Sequence, residues 1–327
     1  MMEKRMFPFM KAICLSLSLL PLLCGCGSPA PVRSFLYAGE SPVHRMYIVE
    51  DGKVVWEYVN EEGRGEISDA MLLDDGNILM AHQHGIAIVS PAKEIVWSYP
   101  APEGCEIHTV QPVGKDHLVF VQNGDPAKVR VIRKSDKETV REFPLPVEEP
   151  VSVHGQFRNA RLTGRGTLLV ANMGLGFVGE YSSLGEELRR WEVPSPWGVE
   201  SLPGGNILVA SNKCTVTEFT LDGEVAWRLD LGANPDYYGV TSGQKAYRLP
   251  SGNTVIGNWV NYWNSEEREA VSRDPENAPV QFIEVNPEGE IIWTLRSWAD
   301  PDLGPSTTYQ PTDSPLHPDR MFFGDIK

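Results

Sequence analysis

The sequence predicts an all-β fold: a six-bladed β-propeller of four-stranded blades, closed by a C-terminal strand that completes the N-terminal blade. Three observations predict it. A repeat of short β-rich runs recurs at roughly 40 to 48 residues for most pairs, the period of propeller blades. No stretch of useful length carries an amphipathic helical pattern. The first copy of the repeat lacks its first strand, and a matching segment stands near the other end of the chain.

The clearest copy runs Ser68 to Ala81, then Ile86 to Ser90, then Glu94 to Tyr99. Its middle returns as Leu202 to Ala210, as Leu249 to Gly257, as Thr163 to Ala171 and, more loosely, as Val113 to Val121. Its ending returns around Trp56, Trp97, Arg141, Trp191, Trp227 and Trp293. Asp75-Gly76, Gly204-Gly205, Ser251-Gly252, Asp222-Gly223 and Glu288-Gly289 supply the residues that tight hairpins need at positive φ. Large rings on an outer strand cover the neighbouring sheet, which assigns the Trp and Tyr endings to blade packing. Residues 35–59 match the second, third and fourth strands of a blade, and Ser306 to Asp313 resembles Ile107 to Gly114, a first-strand segment. Pairing those two pieces leaves no open sheet edge. The predicted blades are 306–313 with 35–59, then 66–99, 106–143, 153–192, 197–229 and 240–295, the last with an insertion at about 261–279. An insertion of that length is either a tolerated surface loop or a functional one.

The N-terminus reads as an export signal: Glu3, Lys4, Arg5 and Lys11, then an apolar run from Ala12 to Leu23 that is too short to span a bilayer. It ends in Leu23-Cys24-Gly25-Cys26, which resembles a bacterial lipobox with Cys26 as the lipidated residue. Residues 1–25 are then a lipoprotein signal peptide, 26–34 a tether containing Gly27-Ser28-Pro29-Ala30-Pro31, and 35–327 the propeller. The expected place is the bacterial cell envelope, lipid-anchored and facing the periplasm. The chain carries a net charge of −15, and a chain this acidic lacks the Lys/Arg footprint that nucleic-acid binding requires. Cys105 and Cys214 fall in different repeats and form no disulfide framework or zinc motif, and no metal site is expected.

Position in the repeat translates into position in space. First strands line the axis, and the loops that lead into them share one face with the loops joining second to third strands. That face collects His82, His84, His108, His154, Asn172, Asn258 and Trp259, with Glu66, Asp69, Gln111, Gln156, Arg158 and Arg161 on or near the inner strands. The opposite face receives ordinary turn residues. His117 falls outside the cluster, and His44 and His317 are set aside as terminal. The densest stretch is Val153 to Arg161, read as one inner strand bearing His154, Gln156, Arg158 and Arg161. Imidazole can act as base, nucleophile or ligand, and guanidinium fixes an anion through paired hydrogen bonds. The plain alternative is a wet polar tunnel whose side chains satisfy backbone groups, with Arg161 pairing to Glu200 in the next blade. His82-Gln83-His84 is a weak metal pattern, because alternate residues of extended chain point opposite ways, and it would need His108 as third ligand.

The repeat, Asp-Gly-Asn followed by apolar residues and a Trp ending, resembles the PQQ-like and arylsulfotransferase-like propellers of bacterial extracytoplasmic proteins over roughly residues 35 to 313. A quinoprotein resemblance implies more blades, a stacking Trp floor and calcium ligands, which this chain does not supply, so pyrroloquinoline quinone is not expected. The arylsulfotransferase-like resemblance implies a histidine nucleophile near the axis supported by histidine and arginine, roles that His108, His154, Arg158 and Arg161 would fill. The expected function is a lipid-anchored propeller that binds a glycan, an anionic small molecule or a protein at the histidine-bearing mouth, with His82, His84, Gln111, Gln156, Asn258 and Trp259 as ligand-binding candidates. An enzyme of arylsulfotransferase-like or polysaccharide-lyase-like type, and an envelope assembly scaffold, are the alternatives.

Overall fold

The computed structural model describes residues 33–39, 44–60, 66–148, 152–233, 243–259, 278–299, 302–304 and 306–327. The signal peptide, nearly all of the tether and the insertion through residue 277 lie outside them. The described strands form six four-stranded antiparallel sheets, a six-bladed propeller. Blade 1 is ordered β24 (Ser306–Pro311), β1 (Ser34–Gly39), β2 (Arg45–Glu50), β3 (Lys53–Val59), so the strand near the C-terminus supplies the innermost position of the first blade. Blade 2 holds β4 (Asp69–Leu72), β5 (Ile78–Ala81), β6 (Gly85–Val89) and β7 (Ile95–Pro100). Blade 3 holds β8 (Glu106–Val113), β9 (His117–Asn123), β10 (Lys128–Arg133) and β11 (Thr139–Pro144). Blade 4 holds β12 (Phe157–Leu162), β13 (Leu168–Asn172), β14 (Phe177–Tyr181) and β15 (Glu187–Glu192). Blade 5 holds β16 (Pro196–Ser201), β17 (Ile207–Ser211), β18 (Thr215–Phe219) and β19 (Val225–Asp230), and blade 6 β20 (Gly243–Arg248), β21 (Thr254–Asn258), β22 (Phe282–Val285) and β23 (Ile291–Leu295). Among the described residues no helix is long and apolar enough to cross a membrane.

The hairpin chemistry read from the sequence is in place: Gly76 and Gly205 sit at φ 84° and 102°, where an L side chain would be strained. The apolar core lies between blades. Leu36, Met46 and Tyr58 of blade 1 pack with Ile78, Met80 and Val89 of blade 2. The seam between blades 6 and 1 joins Phe282 and Val255 to Phe35, Tyr37 and Tyr47. Each fully buried side chain of this kind contributes about 1.5–3 kcal/mol.

Two sets of polar contacts fix each blade against the next. On the rim, the indole N–H groups of the repeat endings donate across the seams: Trp56 to Pro91 O, Trp97 to Lys134 O, Trp191 to Thr220 O and Trp227 to Pro287 O. Blade 3, which ends in Arg141 instead of Trp, reaches Ser183 of blade 4 by guanidinium. On the axis, side chains of one inner strand satisfy the exposed edge of the next. Asp69, Thr109 and Asn159 accept from the backbone N–H of Val110, Ala160 and Val199. Two residues further along, Gln310, Gln111 and Glu200 accept from Leu72, Leu162 and Arg248. The inner strands lack a hydrogen-bonded neighbour on one side, and these caps supply it.

After β24 the chain continues over the face that carries the turns between first and second strands. Leu316 bridges Leu73, Gly114 N–H donates to Met321 O, and Gly324 N–H donates to Gly166 O. Residues 312–327 therefore strap blade 1 to blades 2, 3 and 4.

Candidate functional site

The axial groups fall into two tiers. The outer tier, on the face predicted from the repeat, is a closed ring of hydrogen bonds. His108 Nε2 lies 2.7 Å from Glu106 Oε2, and His108 Nδ1 lies 2.8 Å from Glu66 Oε1 and 2.7 Å from Ser68 Oγ. The Ser68 hydroxyl donates to Glu66, so both imidazole nitrogens of His108 face acceptors. His154 Nδ1 lies 2.8 Å from the same Glu106 oxygen, and its Nε2 lies 3.1 Å from Arg158 Nη1. Arg158 closes the ring by pairing with Glu66. Gln83 holds the other oxygen of Glu106 at 2.9 Å. Burial raises the Glu106 carboxyl, but the hydrogen bonds from His108, His154 and Gln83 outweigh it and hold the group well below the usual carboxylate range.

Exposure within the ring is uneven, and that decides what a ligand can meet. The His108 side chain is 0% exposed and Arg158 4%, whereas His154 is 54% exposed and Glu106 19%. His154 lies on a 3-10 turn, Val153–Gly155, and not on the inner strand expected for it; the strand begins at Phe157, after Gln156 has clamped Gly124 through both its amide groups. His44, set aside as terminal on the sequence, interacts electrostatically with Glu66 of the ring. Burial pushes its imidazole down, Glu66 opposes that shift and His84 adds to it. His82 is buried, His84 exposed and Trp259 half-buried. Asn258 is buried and donates to Val280 O, as Asn172 donates to Pro146 O.

The inner tier is centred on Asp69, which is fully buried and met by blades 3, 4 and 6. Arg161 binds it in a fork at 2.7 and 2.8 Å, Lys245 Nζ at 2.8 Å and Thr109 Oγ1 at 3.0 Å. The alternative pairing of Arg161 with Glu200 is therefore not the one that forms. A guanidinium on the axis reaches across it to a buried carboxylate, while Glu200 is spent on the Arg248 N–H at 3.0 Å. Burial raises Asp69, and Arg161 and Lys245 bring it well below the usual range. Lys245 is pushed down to about 8, by burial first, with Asp69 opposing and Arg161 reinforcing the shift. Glu200 is pushed up to about 7 by burial, the Arg248 N–H and the Arg161 and Arg248 charges working against it. Below Asp69 lies a cavity of about 300 Å³ that includes Gln111, Asn159, Arg161, Glu200, Lys245, Tyr247 and Gln310 in its walls.

Of the candidates read from the sequence, the structure brings His108, His154 and Arg158 into one ring and places Arg161 and Gln111 a tier deeper. Glu106, Ser68, Gln83 and Lys245 were not singled out as site residues from the sequence. Aligning the inner strands puts Lys245 in register with Asp69, Thr109 and Asn159, and that is where it could have been found.

A cation is one group the outer tier could hold: ligand atoms of Glu106, His108 and His154 lie within 4.8 Å of one another. As arranged, those atoms are spent on each other. Arg158 can only donate, so it faces the lone pair of His154 Nε2 and leaves the hydrogen on Nδ1, the nitrogen a metal would need. His82 and His84 belong to no such cluster among the described residues. Asp74, His317 and Asp319 form a second, more exposed group on the strap face.

No protein-family model and no curated protein matches the sequence. Solved structures do match by shape. A protein of unknown function from Bacteroides caccae is 23% identical with a TM-score of 0.69, covering 85% of this chain and 98% of that one. A catalytically inactive virginiamycin B lyase from Staphylococcus aureus, solved with quinupristin, is 12% identical with a TM-score of 0.52, covering 79% of this chain and 83% of that one. The WD40 propeller domain of Doa1 is 12% identical with a TM-score of 0.54, covering 69% of this chain and 72% of that one. These likenesses show the propeller fold and carry no chemistry over.

Proposed function

We propose that the chain is a lipid-anchored propeller of the bacterial cell envelope that binds a hydroxyl-rich ligand, a glycan above all, at the mouth formed by His154, Glu106, Gln83 and His84. The observation that carries this reading is the ring around His154, which fixes one exposed imidazole and one partly exposed carboxylate edge in place. A pre-set acceptor beside an imidazole suits hydroxyl groups, since little side-chain freedom remains to be lost on binding. An anion is disfavoured at this mouth, because Arg158 is buried and already paired with Glu66. Glycan-array binding by the purified protein, with His154→Ala and Glu106→Gln alongside, is the test. Loss of every captured glycan in both variants supports the assignment, and unchanged binding in both refutes it.

A second reading rests on the His154–Glu106 pair, the arrangement of a general base oriented by a carboxylate. In a lyase-type elimination His154 Nε2 would take a proton from the substrate after leaving Arg158. His108 is the weaker candidate nucleophile, with neither nitrogen exposed and both engaged. Turnover of acidic polysaccharides or of a chromogenic aryl sulfate that is lost in His154→Ala would establish this reading. Attachment to the membrane rests on the lipobox-like residues alone. Cys26→Ser is expected to release the protein from the membrane fraction and to abolish incorporation of labelled fatty acid.

A further inference from the structure

The ring at the mouth leaves the cavity below Asp69 unexplained. Two cations in its wall, Arg161 and Lys245, converge on the one carboxylate of Asp69, and both remain partly exposed, at 17% and 14%; Glu200, the acid that lines the cavity, is tied to the Arg248 N–H. Asn159 lies in the same wall, and its side-chain N–H₂ has no hydrogen-bond partner while its oxygen caps Val199. The rest of the lining includes the apolar side chains of Met71, Leu162, Val255, Phe282 and Leu316. Ser314, Leu316 and Met321 of the strap form part of the wall. The volume of about 300 Å³ corresponds to about ten waters at about 30 Å³ each, and it reaches the lower end of small-molecule sites. A cavity lined by two cationic side chains and by several apolar ones matches an amphipathic anion. Water alone would leave the apolar half unsatisfied.

We infer that this interior cavity is a second ligand site, separate from the mouth, which takes a small carboxylate with an apolar body: the carboxylate lies against Lys245 and Arg161 and the body among Met71, Val255 and Phe282. Burial of the apolar body adds to the charge pairing. The probes are benzoate and hexanoate, titrated calorimetrically into the purified full chain, with benzyl alcohol and hexanol as uncharged controls. At least one carboxylate is expected to bind and both alcohols to fail. Lys245→Met is expected to weaken binding by about tenfold or more, the loss of one charged contact. Should that variant not fold, Asn159→Asp keeps the cap on Val199 and places a negative charge in the wall, with the same expected loss. Met71→Trp, which fills the cavity without touching its charges, is expected to abolish binding. His154→Ala is expected to leave it unchanged, so failure of the mouth and failure of the cavity are told apart. The inference is overturned if neither carboxylate binds, if the alcohols bind as well as the acids, or if Met71→Trp binds with the affinity of the unmodified chain.

Discussion

Replacing Glu200 with glutamine is expected to stabilise the protein at alkaline pH and to do little in acid. Glu200 caps the inner strand of blade 6 through the Arg248 N–H, the task that Gln111 and Gln310 perform with neutral amides for Leu162 and Leu72. A carboxylate there needs only one of its oxygens for the cap, and its charge is partly withdrawn from water. Burial therefore raises the group from 4.5 to about 7. The sign follows from linkage: the unfolded chain releases this proton at lower pH than the folded chain does. Its stabilising protonated form is fully available below about 4.5 and is lost as pH rises through about 7. A shift from 4.5 to about 7, at 1.36 kcal/mol per unit, amounts to about 3 kcal/mol between acid and alkali. Urea unfolding of parent and Glu200→Gln at about pH 4 and about pH 9, followed by tryptophan fluorescence, measures the difference directly. The variant's advantage is expected to grow by about 3 kcal/mol over that range, other titrating groups cancelling in the comparison. An advantage that stays constant with pH refutes the reasoning, and a loss at both ends would show that the amide cannot make the cap.

Other expectations follow from the same geometry. Asp69→Asn strands Arg161 and Lys245 without their counter-charge and is expected to cost about 3–5 kcal/mol in urea unfolding near neutral pH. That penalty should shrink only in strong acid, since the Asp69 carboxyl is held well below the usual range in the folded state. The Glu106 carboxyl should remain ionised under conditions where exposed glutamates have protonated, which carbon-13 titration of labelled protein reads out. Gly166→Ala sets a Cβ 2.4 Å from the Phe322 ring at φ +75°; it is expected to cost about 2 kcal/mol and to expose the 312–327 strap to proteases.

The blades were legible in the sequence because a repeat states the same packing problem several times. Trp56, Trp97, Trp191 and Trp227 mark the seams in the sequence itself, and the displaced strand at 306–311 is legible because residues 35–59 lack a first strand. The site was legible only to the level of a face. Periodicity tells which residues line the axis, but not how far each side chain reaches across it. Register alone therefore offers the adjacent Glu200 as a partner for Arg161, whereas the length of the side chain carries it to Asp69 of blade 2. His154 was placed on a strand because the residues around it match the repeat, whereas the turn at Val153–Gly155 swings it outward to meet Glu106. Lys245 escaped notice for the opposite reason: a single lysine in a strand reads as solvent-facing until the ring closes around it.

Blade 1 has a consequence for how the chain reaches this structure. Its inner strand meets β1 from the far end of the sequence, and Thr312 bonds Ser34 across 278 residues. Bringing such distant segments together costs about 5 kcal/mol of chain entropy beyond that of a minimal loop. Nothing local repays that cost. Blades 2 to 6 are each made of consecutive strands and can assemble as the chain emerges, whereas blade 1 must wait until residues 306–311 have been made. Until then β1 and the apolar faces of Phe35 and Tyr37 have no cover. Ring closure is thus expected to be the slow step of folding and the last to form, and a weakened β24 should show first in yield and aggregation.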